Sequence, residues 1–95
     1  MRVIWSPEAS EDLRSLGDYI AADNPEAARR VVLIIVRAAE EILAENPSIG
    51  RAGRLLDTRE FAVPRTPVVI IYRVKHRVLQ IVGVHHHSRR WPDLF

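Results

Sequence analysis

The groups in this 95-residue chain best suited to chemistry are its four histidines and fourteen basic residues. Three of the histidines are consecutive, His85-His86-His87. Such a run invites a metal, but side chains alternate faces along a strand, so His86 points away from His85 and His87. That leaves His85 and His87 as a pair, with no third ligand at a recognisable spacing. No metal or other cofactor is expected. Cysteine is absent, which excludes thiolate zinc sites and disulfides and fits a reducing compartment. His86 suits general acid–base work, because imidazole titrates near neutrality and a nearby arginine cluster could hold a phosphodiester. A metal-free ribonuclease needs such a proton carrier, together with cations for the transition state. A strand-end histidine held by a structural hydrogen bond accounts for the same residue equally well. No serine sits in a nucleophile elbow, and Gly50-Arg51-Ala52-Gly53 is too short for a phosphate loop. Glu11-Asp12 and Glu40-Glu41 fall on predicted helices, where neighbours diverge by about 100°. They read as solvated faces and not as acid–base pairs.

The net charge of +2 is unevenly spread. Residues 1–48 carry five arginines against nine acids, a balance of −4, and residues 49–95 carry nine bases against three acids, a balance of +6. Thirteen of the fourteen bases are arginine, the residue that suits planar, bidentate contact with phosphates and carboxylates. The second half could therefore face nucleic acid or an acidic protein surface, or simply solvent.

The elements that must position these groups change character once, near Asn46–Gly53. Arg2-Val3-Ile4-Trp5 reads as a short strand. Ser6-Pro7-Glu8 is a helix start, with a capping serine, a proline suited to the first turn and an acid favoured by the dipole. Ala9, Leu13, Leu16 and Ile20 then form one apolar stripe. Asn24-Pro25-Glu26 starts a second helix, predicted to run to about Glu45. This helix has two adjacent apolar stripes, Ala27, Val31, Ile34/Ile35, Ala38, Ile42 and Ala28, Val32, Val36, Ala39, Leu43. Two stripes need two neighbours, such as the first helix and a sheet. The short gap at Asp23-Asn24 predicts a helical hairpin. Three strands should follow, over Thr58–Val63, Pro67–Val74 and Val78–Val84, with a tight turn at Lys75-His76-Arg77. The order β-α-α-β-β-β predicts an α+β fold, with the N-terminal helical hairpin packed on a small, mostly antiparallel sheet in one domain over residues 1–95. Trp91-Pro92 and Leu94-Phe95 either dock on that sheet or anchor a partner. The longest aliphatic run, Val31–Val36, has six residues against the roughly 20 of a membrane span. No membrane partner is expected, and the expected address is the cytoplasm.

Several phrases occur in an order that resembles the RelE/ParE superfamily of toxins from type II toxin–antitoxin systems, often called plasmid-stabilisation proteins. They are Trp5-Ser6-Pro7-Glu8-Ala9 with Asp12-Leu13, Tyr19-Ile20-Ala21, and Asn24-Pro25-Glu26-Ala27-Ala28. Further on come Pro47-x-x-Gly50-Arg51-x-Gly53, Thr58-Arg59-Glu60, Val69-Ile70-Ile71-Tyr72-Arg73-Val74, and Val84-His85-His86-x-x-Arg89-x-Trp91-Pro92. The resemblance implies a growth-inhibiting toxin neutralised by a cognate antitoxin, itself dimeric and DNA-binding. On the helical hairpin it directs antitoxin contact to Leu16, Ile20, Leu33 and Arg37. Leu33 lies outside both stripes of its helix.

Some members of the superfamily cleave mRNA on the ribosome, and others inhibit DNA gyrase. The ribonucleases carry an arginine just before the aromatic of the central strand, where this chain has Val68-Val69-Ile70. Losing such a cation costs orders of magnitude in rate. The resemblance therefore favours a gyrase-binding toxin with no firm catalytic residue, meeting its target through His86, Arg89, Arg90 and Trp91. The alternative is a metal-independent endoribonuclease using His86 with Arg59 and Arg73. A second alternative is a degenerate toxin kept for antitoxin binding and operon autoregulation.

Overall fold

The computed structural model describes residues 1–86. Strand β1 (Arg2–Trp5) leads into helix α1 (Pro7–Ala21), and α2 (Pro25–Arg37) continues into a π-helical segment, Ala38–Leu43. Strands β2 (Arg51–Ala52), β3 (Arg59–Ala62), β4 (Val68–Lys75) and β5 (Val78–His86) follow. The sheet order is β1-β5-β4-β3-β2, with β1 parallel to β5 and the other three pairings antiparallel. The predicted α+β fold with a mostly antiparallel sheet is the fold observed.

Both helix starts carry the caps their sequences predict. Ser6 Oγ accepts from Ala9 N–H at 3.0 Å, and Asn24 Oδ1 accepts from Ala27 N–H at 3.0 Å. Each cap satisfies a backbone donor that the first turn leaves without a partner. The helices pack so closely that a methyl group on Gly17 would lie 3.2 Å from Val32 Cγ2. The core joins Leu16, Ile35, Ala38, Ala39 and Leu43 from the helical layer to Val68, Ile70, Tyr72, Leu79, Ile81 and Val84 from β4 and β5.

The structure corrects the predicted helix end. Both predicted stripes were to end buried, one on Ile42 and the other on Leu43, and only the second does. The π turn advances the face by one residue. Leu43 is fully buried and Ile42 is exposed. A two-residue strand, β2, was not predicted, and β5 extends two residues further than expected, through His86. Between β4 and β5 the chain turns on His76 and Arg77 alone, at φ values of 54° and 64°. Two positive φ values are what a two-residue hairpin of the primed type requires.

Candidate functional site

The central strand organises everything that could act. Tyr72 of β4 is fully buried, and its hydroxyl donates to Pro47 O at 2.8 Å while accepting from Gly50 N–H at 2.9 Å. Arg59 lies opposite Tyr72 on β3, and its Nη1 donates to Gly50 O at 2.7 Å and Ser48 O at 3.3 Å. This cross-strand pair grips the loop that joins the helical layer to β2. The grip explains Gly50: a Cβ there would stand 2.7 Å from the Tyr72 hydroxyl and 2.8 Å from Cε1. The phenol is a structural clamp and is not presented to solvent.

Next to the clamp, β3 peels away from β4. Asp57 sits at φ 63°, and Thr58 folds back on Leu55, with its N–H and its hydroxyl both donating to Leu55 O. The separation leaves a cleft of about 690 Å³, bordered by Pro47, Ser48, Thr58, Arg59, Arg73 and Lys75 among others. Arg73 gives its Nε to Gln80 Oε1 at 2.9 Å, on the face opposite Tyr72, as strand alternation predicts. Beyond β2, buried Glu60 is satisfied by Arg54, whose backbone N–H donates to Oε2 at 3.0 Å while Nε pairs with the same oxygen at 3.6 Å.

His86 lies elsewhere. Its partner on β4 is Val68, whereas the partner of Arg73 is Gln80. Five residue steps along the strand separate Val68 from Arg73, about 17 Å at the usual rise. Arg59 and Arg73 therefore border one cleft, and His86 stands at the other end of the sheet. The three residues of the ribonuclease alternative are not brought together. His85 is buried beside Val69 and His86 half-buried beside Val68. His87, Arg89, Arg90 and Trp91 lie outside the described residues. Among the described residues, no group of three or more His, Cys, Asp or Glu side chains could hold a metal, and no helix is long and apolar enough to cross a membrane.

On the helical face the four expected antitoxin contacts separate. Leu16 is a core residue and offers no surface. Ile20 is half-buried, packed against the core. Leu33 is 48% exposed, Arg37 is exposed, and Tyr19 adds a large exposed ring on α1.

One important residue was misread from the sequence. Of the pair Glu11-Asp12, only Glu11 is a solvated face, bridging to Arg14 at 3.0 Å. Asp12 turns inward, and its Oδ2 accepts from Val84 N–H at 3.1 Å. The carboxylate thus satisfies a β5 donor beyond the end of β1, where, among the described residues, no strand continues the ladder. Burial pushes its pKa up, the Val84 hydrogen bond opposes that, and the charges of Glu11 and Glu8 add to the rise. The available signal was position: Asp12 lies three residues after Ala9 and four before Leu16, on the buried line of α1.

This architecture recurs in solved toxin–antitoxin structures. A chain of the chromosomal ParDE TA system from P. aeruginosa superposes with a TM-score of 0.79 at 27% identity, covering 90% of this chain and 95% of that one. The toxin–antitoxin complex RelBE2 from Mycobacterium tuberculosis shares the fold, at a TM-score of 0.66 and 23% identity over 90% of this chain and 95% of that one. Among sequence relatives, Y4kP of Sinorhizobium fredii, a toxin by name, is 40% identical over 98% of this chain and 95% of its own length. Toxin RelE2 of Caulobacter vibrioides is 36% identical over 93% of this chain and 97% of its own length. Residues 3–91 match the family described as ParE toxin of type II toxin–antitoxin system, parDE, and the chain belongs to that family.

Proposed function

We propose that this toxin inhibits growth by binding DNA gyrase, without hydrolytic chemistry of its own. The observation that carries the reading is the separation of His86 from Arg59 and Arg73 along β4 and β5. General acid–base catalysis needs its groups within hydrogen-bond reach of one substrate. Two features support it further. The stretch Val68–Ile70, where the ribonucleases carry an arginine, is aliphatic and buried, and the Tyr72 phenol is committed to Pro47 and Gly50. Contact with the target is assigned to the His86 end of β5 and to Arg89, Arg90 and Trp91 after it.

The cognate antitoxin is the second partner. The two solved neighbours are described as a ParDE TA system and a toxin–antitoxin complex, which supports such a partner here. Its contact surface on this chain is assigned to exposed Leu33 and Arg37, flanked by Ile20 and Tyr19. Core-bound Leu16 is left out.

Purified toxin is assayed for inhibition of gyrase supercoiling and, in parallel, for ribosome-dependent mRNA cleavage. Inhibition of supercoiling without cleavage is the expected result. Cleavage at the ribosomal A site that disappears in His86→Ala would overturn the proposal. Growth unaffected by toxin expression without antitoxin would instead identify a degenerate copy.

A further inference from the structure

We propose that the tip of the β2–β3 hairpin, Leu55-Leu56, and the cations beside it form a docking site for an anionic lipid surface. The proposal is independent of the gyrase reading. Leu56 is 88% exposed and Leu55 61%, more than any other large apolar residue among the described ones. Neither packs on the core. The tip is nonetheless held in one shape. Thr58 donates its N–H and its hydroxyl to Leu55 O, at 3.2 and 2.6 Å. Gly53 N–H donates to Thr58 O at 2.8 Å, and Arg54 N–H to Glu60 Oε2 at 3.0 Å. Much of the tip's backbone is thereby satisfied within its own hairpin. Entry into an apolar medium demands this, because a main-chain group without a partner is costly there.

Charge and apolar surface share this end of the sheet. Asp57 of the tip borders the same cleft as Val74 and Lys75 at the end of β4. The turn at His76-Arg77 follows, and Arg2 of β1 lies opposite Val78 at the start of β5. Val74 adds a third apolar side chain, 44% exposed. Arg2, Arg73, Lys75 and Arg77 stand here, and among the described residues none of them is in an ion pair. The acids near them are Asp57 and, where the Met1 ammonium donates to Ala44 O, Glu45 at the end of the helical layer. An anionic bilayer matches both halves of this arrangement, with phosphate headgroups for the cations and the acyl boundary for the leucines. Such contact needs no spanning helix. A nucleic acid would meet the same cations, but it offers nothing to two leucines, and no tryptophan, tyrosine or phenylalanine stands among these residues to stack on its bases.

The test measures binding of the full chain to vesicles of phosphatidylglycerol and phosphatidylcholine in equal parts, with pure phosphatidylcholine vesicles and duplex DNA as controls. The chain has no cysteine, so Leu56→Cys takes a single environment-sensitive dye, and Leu33→Cys on α2 carries the same dye as a reference. Anionic vesicles should shift the dye at position 56 to the blue and leave the one at position 33 unchanged. Leu55→Ser/Leu56→Ser should weaken co-sedimentation with those vesicles about tenfold or more, and Arg2→Gln/Lys75→Gln roughly 25-fold at low salt, both with an unchanged circular dichroism spectrum. No binding to anionic vesicles at low salt would overturn the proposal, as would equal binding to pure phosphatidylcholine. So would undiminished vesicle binding by the leucine double variant, or a blue shift at position 33 alone. Duplex DNA that changes the dye at position 56 as strongly as the vesicles do would also overturn it.

Discussion

Replacing Tyr72 by phenylalanine isolates the clamp. The ring stays, and only the hydroxyl that bridges Pro47 O and Gly50 N–H is lost. Gly50 is buried, so its N–H is left without water or another acceptor. A buried donor stripped of its partner costs about 1–3 kcal/mol. Pro47 is half-buried, and its carbonyl can turn toward solvent, so it adds little. The expected loss is about 2 kcal/mol. For a domain of this length that corresponds to a fall in Tm of roughly 8–16 °C. Thermal and urea unfolding followed by circular dichroism measure both quantities, and the urea m-value should be unchanged. The phenol is sealed from solvent, so the folded fraction of Tyr72→Phe should arrest growth as the parent does. A loss under about 0.5 kcal/mol, the size of an ordinary surface substitution, would refute the clamp. Arrest abolished in a variant that remains folded would refute the claim that this tyrosine does no chemistry.

Three further outcomes follow from other parts of the molecule. Asp12 has a pKa raised above 3.8, so its ionised form destabilises the fold; its contribution is fully favourable below the unfolded value and is lost as pH rises through the folded one. Asp12→Asn keeps an acceptor for Val84 and loses the charge, so the parent should gain stability relative to this variant as pH falls from 7 toward 4, whereas Asp12→Ala should cost about 1–3 kcal/mol at neutral pH, both read by urea titration. His76→Asn with Arg77→Gly places residues that tolerate positive φ in the β4–β5 turn and should raise stability by about 1 kcal/mol, seen as a higher Tm. Leu33→Asp, on the exposed face of α2, should leave Tm within a few degrees of the parent and weaken antitoxin affinity by about tenfold or more in calorimetry.

Much of this was written locally. Ser6 and Asn24 announce their helices because a cap acts on the residue three positions on, and the run from Val68 to Val74 declares a buried central strand by its side chains alone. What stayed hidden depends on distant partners. Ile42 and Leu43 are both apolar, and only packing beyond the helix decides which is buried, so the π turn had no local mark. Asp12 looks like one of two surface acids until β5 brings Val84 beside it, 72 residues away. The grip of Tyr72 on Pro47 spans 25 residues. The cleft exists because one strand stops short of its neighbour, and the left-handed Asp57 that helps stop it carries no glycine to signal the bend.

The parallel pairing of β1 with β5 sets an order of events during synthesis. Ser6 and Val82 are bonded across 76 residues, and Arg2 waits for Val78. The contacts within the helical hairpin are local, but β1 has no strand to lie against until β5 emerges. Contacts so far apart in sequence form late and slowly. The residues of the helical face are therefore all made well before the end of β5. The surface assigned to a partner on the helices and the one assigned to the target at the end of β5 are thus completed at opposite ends of synthesis.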